Sequence, residues 1–232
     1  MTYYFSNLKP IIILAHCKPP FLEEKYNQLN NLISSIDRDK YFVLLSANSP
    51  IPEKIISKCN YFQQDSTNYN KPHYSFAIHL KINLALQVLR FHNFNKVLCL
   101  EYDAPTGCHE HIIKKGEDYF NENNKLRFFG HDWNQPNSAN QGHWFSDIDF
   151  ILNKVKPLNF STTGSQMQGV LAERLFFSML SRAGIQNIKI VTDKDFFFPC
   201  VRPQMFQAGG ALMRKEISPG TYKYIKKDGS IY

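Results

Sequence analysis

Short, unbroken apolar runs alternate along this chain with longer stretches whose apolar positions recur every three or four residues. Residues 11–15 (Ile-Ile-Ile-Leu-Ala), 41–45 (Tyr-Phe-Val-Leu-Leu) and 97–101 (Val-Leu-Cys-Leu-Glu) are apolar enough to be strands buried on both faces. The first stops at Lys18-Pro19-Pro20, where two prolines end the pairing. Between the runs, Leu22, Tyr26, Leu29, Leu32, Ile33 and Ile36 make one helical stripe over 21–36. Pro52 opens a short helix to 57, and residues 61–64 make a weaker third strand. A clear helix is expected over 75–91, with Phe76, Leu80, Leu84, Val88 and Phe91 on its apolar face. Buried strands separated by helices predict an α/β fold with a mostly parallel, doubly wound central sheet.

Beyond residue 105 the pattern loosens. A strand is expected over 125–130, a helix over 166–183 ending at Gly184, and a strand over 188–192. Residues 131–144 are rich in Asn and Gln and carry Trp133 and Trp144; they fit a lid, an acceptor platform or a surface excursion. The tryptophans suit stacking on a sugar face, core packing or anchoring of the loop. From Arg202 onward the chain mixes Gly, Pro and Lys and reads as a tail packed over the core. No repeat, low-complexity tract or linker interrupts the 232 residues, so 1–232 is expected to be one domain, with a regular half to about 105 and a looser half after it.

Composition narrows the classes. Hydrophobic residues at 43% and aromatics at 14% argue against disorder. The formal charge of +7 suits an anionic ligand such as a nucleotide diphosphate. Without zinc-finger spacing, a basic helix or an aromatic RNA-binding signature, nucleic acid is not an expected partner. Cys17, Cys59, Cys99, Cys108 and Cys200 are odd in number and scattered, as expected of reduced thiols in a cytoplasmic protein. The first residues carry no basic region ahead of an apolar core, and no run reaches 18 apolar residues. A soluble chain without a transmembrane segment is therefore expected, with a peripheral place at a membrane surface also compatible.

The chemistry concentrates where the 97–101 strand runs into Glu101-Tyr102-Asp103. Ligands bind outside the carboxyl ends of strands in open α/β sheets. Two carboxylates there suit Mg²⁺ or Mn²⁺, hard cations that take oxygen ligands and leave positions for phosphate. Their alternate spacing puts both side chains on one side of an extended backbone. A solvated turn has the same pattern, and acidic-x-acidic also occurs at Asp37/Asp39, Asp147/Asp149 and Asp193/Asp195. Asp193-Lys194-Asp195 also follows an apolar strand and is the chief rival. His109-Glu110-His111 and His131-Asp132 lack the i, i+4 helical pair of a zinc protease.

The order of elements over about 10–105 resembles nucleotide-sugar glycosyltransferases of the GT-A fold, in particular inverting family 2. The likeness is carried by Ile-Ile-Ile-Leu-Ala-His-Cys (11–17), Val-Leu-Leu-Ser-Ala-Asn-Ser (43–49), the helix with Lys81 and Asn83, and Val-Leu-Cys-Leu-Glu-Tyr-Asp (97–103). It continues weakly through Gly-Val-Leu-Ala-Glu-Arg-Leu-Phe-Phe (169–177). Three departures stand out. The first acidic position of the Asp-x-Asp motif is Glu101, Ser46 stands where many members keep a uracil-binding Asp, and no His follows His143, so the late metal-binding His is missing.

The resemblance implies transfer of a hexose or pentose from a nucleotide-diphosphate sugar to a hydroxyl of a glycan, lipid-linked or protein acceptor. Such a reaction needs positive charge at the leaving diphosphate and a base near the acceptor. Asp103 is expected on the metal, with Glu101 on the metal through water or on the ribose. His16, Ser46, Asn48, Lys81 and Asn83 are the other donor-site candidates, although Lys81 and Asn83 do not share a helix face and each also reads as solvated surface. The resemblance places the base at Glu173, where burial in an apolar helix would raise the pKa, behind a possible acceptor wall at 161–165. A Glu173–Arg174 surface patch is the alternative, and Asp132 and Asp193 are reserves. Two other classes fit: a sugar-phosphate nucleotidyltransferase, against which the glycine-free His16-Cys17-Lys18 turn counts, and a non-catalytic nucleotide-sugar binder.

Overall fold

The computed structural model describes residues 5, 7–17, 22–64, 74–132, 137–156, 171–200, 205–206, 212–218 and 221–226. Residues 18–20, Trp133, the 161–165 segment and the expected start of the late helix at 166–170 lie outside them, as does the side chain of Phe76.

The expected strands form. β1 (Lys9–Ala15), β2 (Tyr41–Ala47), β3 (Tyr61–Gln64) and β4 (Lys96–Glu101) pair in parallel, β1 lying between β2 and β4. With β5 (Phe128–His131), β6 (Trp144–Asp147) and β7 (Ile188–Val191) they complete a seven-stranded sheet in the order β3-β2-β1-β4-β6-β5-β7. Only β6 runs antiparallel to its neighbours. This is a mostly parallel α/β sheet flanked by helices.

Strand alternation builds two cores. Ile11, Ile13, Val43, Leu45, Leu98 and Leu100 face α1 (Leu22–Ser34) and α4 (Cys108–Glu122). Ile12, Leu14, Phe42, Leu44, Val97 and Cys99 face α3 (Tyr74–Phe91), α5 (Ile148–Lys154) and α6 (Leu171–Gly184). Each large apolar side chain buried in this way stabilises the fold by roughly 1.5–3 kcal/mol relative to exposure, so the unbroken runs are what two-sided burial requires. A four-residue helix, α2 (Glu53–Ile56), and the five-residue α7 (Asp193–Phe197) complete the main layers.

Three expectations change. On α3 the buried face is Ile78, Ile82, Ala85, Leu86 and Leu89, whereas Leu80, Leu84 and Phe91 are exposed, Phe91 by 82%. Both faces of this helix are apolar, and the seam that packs is the one with i, i+4, i+7, i+8 and i+11 all filled. The polar stretch after residue 131 ends in a strand, because Trp144 begins β6 and is fully buried. Finally, the segment after Arg202 contains β8 (Met205–Phe206), β9 (Leu212–Ser218) and β10 (Thr221–Lys226), an antiparallel sheet in the order β10-β9-β8. All five cysteines are free, as expected. Among the described residues no helix is long and apolar enough to cross a membrane.

Candidate functional site

The chain steps outward from β1 to β2 and β3, then crosses to β4 on the other side of β1. This reversal is a topological switch point, and open α/β sheets bind ligands outside the strands' carboxyl ends at such points. Glu101 is the last residue of β4 and pairs in register with Leu14. The N–H of Tyr102 still donates to the Leu14 carbonyl at 3.0 Å, after which Ala104 N–H donates to the Glu101 carbonyl at 3.0 Å and closes a turn. The two carboxylates therefore converge through a turn, not through strand alternation as the spacing suggested.

A third group joins them. One donor atom each from Glu101, Asp103 and His143 lie within 4.8 Å of one another, and His143 Nε2 is 3.7 Å from Asp103 Oδ1. Asp103 and His143 are buried and Glu101 is half-buried. A cation with bonds of about 2.0–2.6 Å bridges donors up to about 4–5 Å apart, so the set fits a divalent ion with little adjustment. Nothing in the spacing of the sequence marks His143 for this position; its one signal is a histidine placed directly before a Trp-Phe strand.

The segment delivering His143 is stapled down. Asn140 Oδ1 accepts from the N–H groups of Gly142 at 2.7 Å and His143 at 2.9 Å, and Trp144 Nε1–H donates to the Gln141 carbonyl at 2.7 Å. Asn140 N–H donates to the His131 carbonyl at 2.8 Å, and Ala139 N–H to the Glu173 carbonyl at 3.1 Å. Residues 138–144 are all buried, which removes the lid and surface-excursion readings for this part of the loop and gives Trp144 to the core. Gly142 is required by close approach: a Cβ there would lie 2.2 Å from Glu101 Cγ.

The other acidic pairs have local structural work. Asp37 accepts from Asp39 N–H at 3.0 Å and pairs with Lys40 at 3.3 Å. Asp147 pairs with Arg127 at 3.3 Å and Asp149 with Arg90 at 3.4 Å. Asp195 N–H donates to the Thr192 hydroxyl that caps α7, and its carboxylate accepts from the same hydroxyl at 2.7 Å. Asp193 lies 3.5 Å from His131 Nδ1, which is also 2.8 Å from the Asp132 carbonyl oxygen. Among the described residues, Glu101, Asp103 and His143 are the group with three gathered metal donors, so the rival pair on α7 does not assemble one.

The remaining candidates scatter around the same edge. His16 follows β1 and is half-buried; Ser46 lies at the end of β2, with Asn48 just beyond it. The Ser46 hydroxyl accepts from Gln63 Nε2 at 2.8 Å, and Gln63 also donates to the Lys81 carbonyl at 3.2 Å, which ties β2, β3 and α3 together. Lys81 is 1% exposed, so the solvated-surface reading fails for it. Asn83 Nδ2 lies 3.1 Å from His79 Nε2 within α3. Glu173 sits in the first turn of α6, half-buried, and burial raises its carboxyl above the usual range; Arg174 beside it is exposed. Glu173 and Asp103 thus reach the 138–143 loop from opposite ends, one through Ala139 and the other through His143. Cys17, beside this edge, is pushed up to about 12, by burial first, and is a packed thiol.

No protein-family model and no curated protein matches the chain significantly. Among solved structures, 81% of the chain is similar to a cytidylyltransferase from Leptospira borgpetersenii serovar Hardjo-bovis, at 11% identity, TM-score 0.47 and 76% of that chain. S. aureus TarS 1-349 is similar over the same share at 14% identity, TM-score 0.46 and 59% of that chain. M. tuberculosis glucosyl-3-phosphoglycerate synthase is similar at 12% identity, TM-score 0.46 and 71% of that chain. At these values the likenesses carry no functional conclusion for this chain.

Proposed function

We propose that the chain is a glycosyltransferase that moves a sugar from a nucleotide-diphosphate sugar to an acceptor hydroxyl. The observation that carries this reading is the convergence of Asp103 and Glu101 at the carboxyl end of β4, at the β1/β4 switch point. A hard divalent ion, Mn²⁺ or Mg²⁺, is the cofactor those oxygens suit, and when bound it supplies positive charge to the leaving diphosphate. Asp103 would be its direct ligand and Glu101 the second carboxylate. His16 and Asn48, just past the carboxyl ends of β1 and β2, would meet the nucleoside, with Ser46 already bonded to Gln63. Lys81 and Asn83 are assigned no ligand role, since one is buried and the other is tied to His79.

Glu173 is the base. Burial raises its pKa, which makes it a stronger base than an exposed carboxylate, and its backbone is anchored to the loop that lies against the carboxylates. It takes the acceptor proton as the new sugar–oxygen bond forms and the bond to the diphosphate breaks, releasing a nucleoside diphosphate. Asp132 and Asp193 are the reserves; Asp193 stands beside His131.

Incubation with a panel of nucleotide-diphosphate sugars and Mn²⁺ tests the reading. The expected result is nucleoside diphosphate release and sugar transfer with at least one donor. Pyrophosphate release from a nucleoside triphosphate and a sugar phosphate would make the chain a nucleotidyltransferase instead. Binding that raises the melting temperature by mass action, without turnover of any donor, would make it a binding protein.

A further inference from the structure

One packed face is enough to hold a helix on a sheet, yet α3 has two apolar faces. Ile78, Ile82, Ala85, Leu86 and Leu89 are buried, whereas Leu80, Leu84 and Phe91 are exposed by 45%, 54% and 82%. The spacing 80, 84, 91 puts all three on one stripe of the helix, which exposed Gln87 completes. They are three of the six large apolar side chains that stay exposed among the described residues. Such residues scattered singly need no explanation, but a stripe of them marks a surface that something covers. Beside the stripe, Gln87, Arg90 and Phe91 of α3 and Leu152 and Asn153 of α5 line an open groove of about 460 Å³.

The rim of this face is basic. α3 carries no acidic residue in its 18 positions. Arg90 lines the groove, Lys156 Nζ donates to the carbonyl of groove-lining Leu152 at 3.2 Å, and exposed Lys154 follows Asn153 at the end of α5. The acidic residue of α5, Asp149, pairs with Arg90 at 3.4 Å. We propose that the exposed face of α3, with the end of α5, docks onto an anionic lipid surface. Leu80, Leu84 and Phe91 enter the boundary between headgroups and acyl chains, while Arg90, Lys154 and Lys156 meet the headgroup phosphates. A second copy fits this face less well. One helical stripe falls short of the roughly 20–30 residues a side of a standard interface, and pairing two copies would set basic rims against each other. Glu101, Asp103 and Glu173 lie elsewhere, so this docking stands or falls independently of the glycosyltransferase reading.

Cosedimentation of the full chain with vesicles is the test, comparing phosphatidylcholine alone with phosphatidylcholine and phosphatidylglycerol in equal parts. Wild type should bind the anionic vesicles, bind the neutral ones at least about 10-fold more weakly, and lose affinity as salt is raised. Leu84→Ser combined with Phe91→Ser should lose at least about 10-fold in partitioning, because that apolar area no longer leaves water. Lys154→Gln combined with Lys156→Gln should lose about 10-fold on anionic vesicles and little on neutral ones. All four side chains are exposed, so circular dichroism and melting temperature should match wild type. In Phe91→Trp, brominated lipid should quench the fluorescence gained over wild type, as contact of this position with acyl chains requires. No binding to anionic vesicles would overturn the proposal, and so would equal binding by wild type and both paired variants. A concentration-dependent dimer in light scattering that Phe91→Ser abolishes would give the face to a second copy and overturn it as well.

Discussion

From β1 to β4 the chain returns over the sheet through helices, and each strand adds in parallel, whereas between β4 and β7 it turns back once and inserts β6 antiparallel beside β4. In the first region the candidate groups stand at strand ends: Glu101 and Asp103 where β4 stops, and His16 where β1 stops. In the second region a candidate group, His143, arrives with the inserted strand. β6 pairs Trp144 with Cys99, two residues before Glu101, so the residue preceding β6 must lie near the end of β4. Parallel strands bring the loops that follow them to this edge; β6, of opposite direction, brings the loop that precedes it.

Removing a group from the first region should have the largest effect. Asp103→Ala is expected to abolish Mn²⁺-dependent nucleotide binding in calorimetry with the fold retained by circular dichroism, since this carboxylate lies in a turn beyond the strand. Unchanged nucleotide affinity in that variant, with loss in Asp193→Ala, would transfer the site to α7. Next in size, Glu173→Gln should keep donor affinity and lose about 10²–10⁴-fold in transfer rate, the usual cost of a missing general base. Near-normal turnover would shift the role to Asp132 or Asp193. Normal transfer in all three corresponding variants would indicate chemistry that needs no enzymic base.

Gly142→Ala probes the seam between the regions. Its Cβ would meet the Glu101 side chain at 2.2–2.4 Å, so Glu101 or the loop must move. A loss of about 10-fold in Mn²⁺ affinity is expected, in the range seen when a ligand's support is disturbed. An unaltered affinity would show that Glu101 swings clear without cost to the site.

The remaining effect concerns pH and the position least connected to the candidate carboxylates, within α3. Burial, with Lys156 nearby as a lesser cause, lowers His79 to about 4 from its ordinary value of 6.5. The folded state therefore binds this proton less readily than the unfolded chain. The contribution is fully present above pH 6.5 and is lost progressively as pH falls toward 4, amounting to about 3 kcal/mol at most. The melting temperature should fall over that window, and less steeply in His79→Gln. An identical slope in both proteins would mean that His79 binds its proton as readily in the fold as in the unfolded chain.

Local pattern was sufficient for β1 to β4 and the helices between them. An apolar run long enough for a buried strand, ended by its first carboxylate, placed Glu101 and Asp103 at the edge of β4, because strand burial and strand termination are both decided by neighbouring residues. The same pattern misjudged α3, where two apolar faces compete and the more completely filled one, through Ile78, Ile82 and Ala85, packs in place of Leu80 and Leu84. It also left His143 unmarked. That residue reaches Asp103 because β6 pairs with β4, Gly142 leaves room beside Glu101, and α7 packs Phe197 against the ring. Those are contacts between segments far apart in the chain, whose free energy is gained only once the sheet has closed around them, so tertiary structure alone decided the third member of the site.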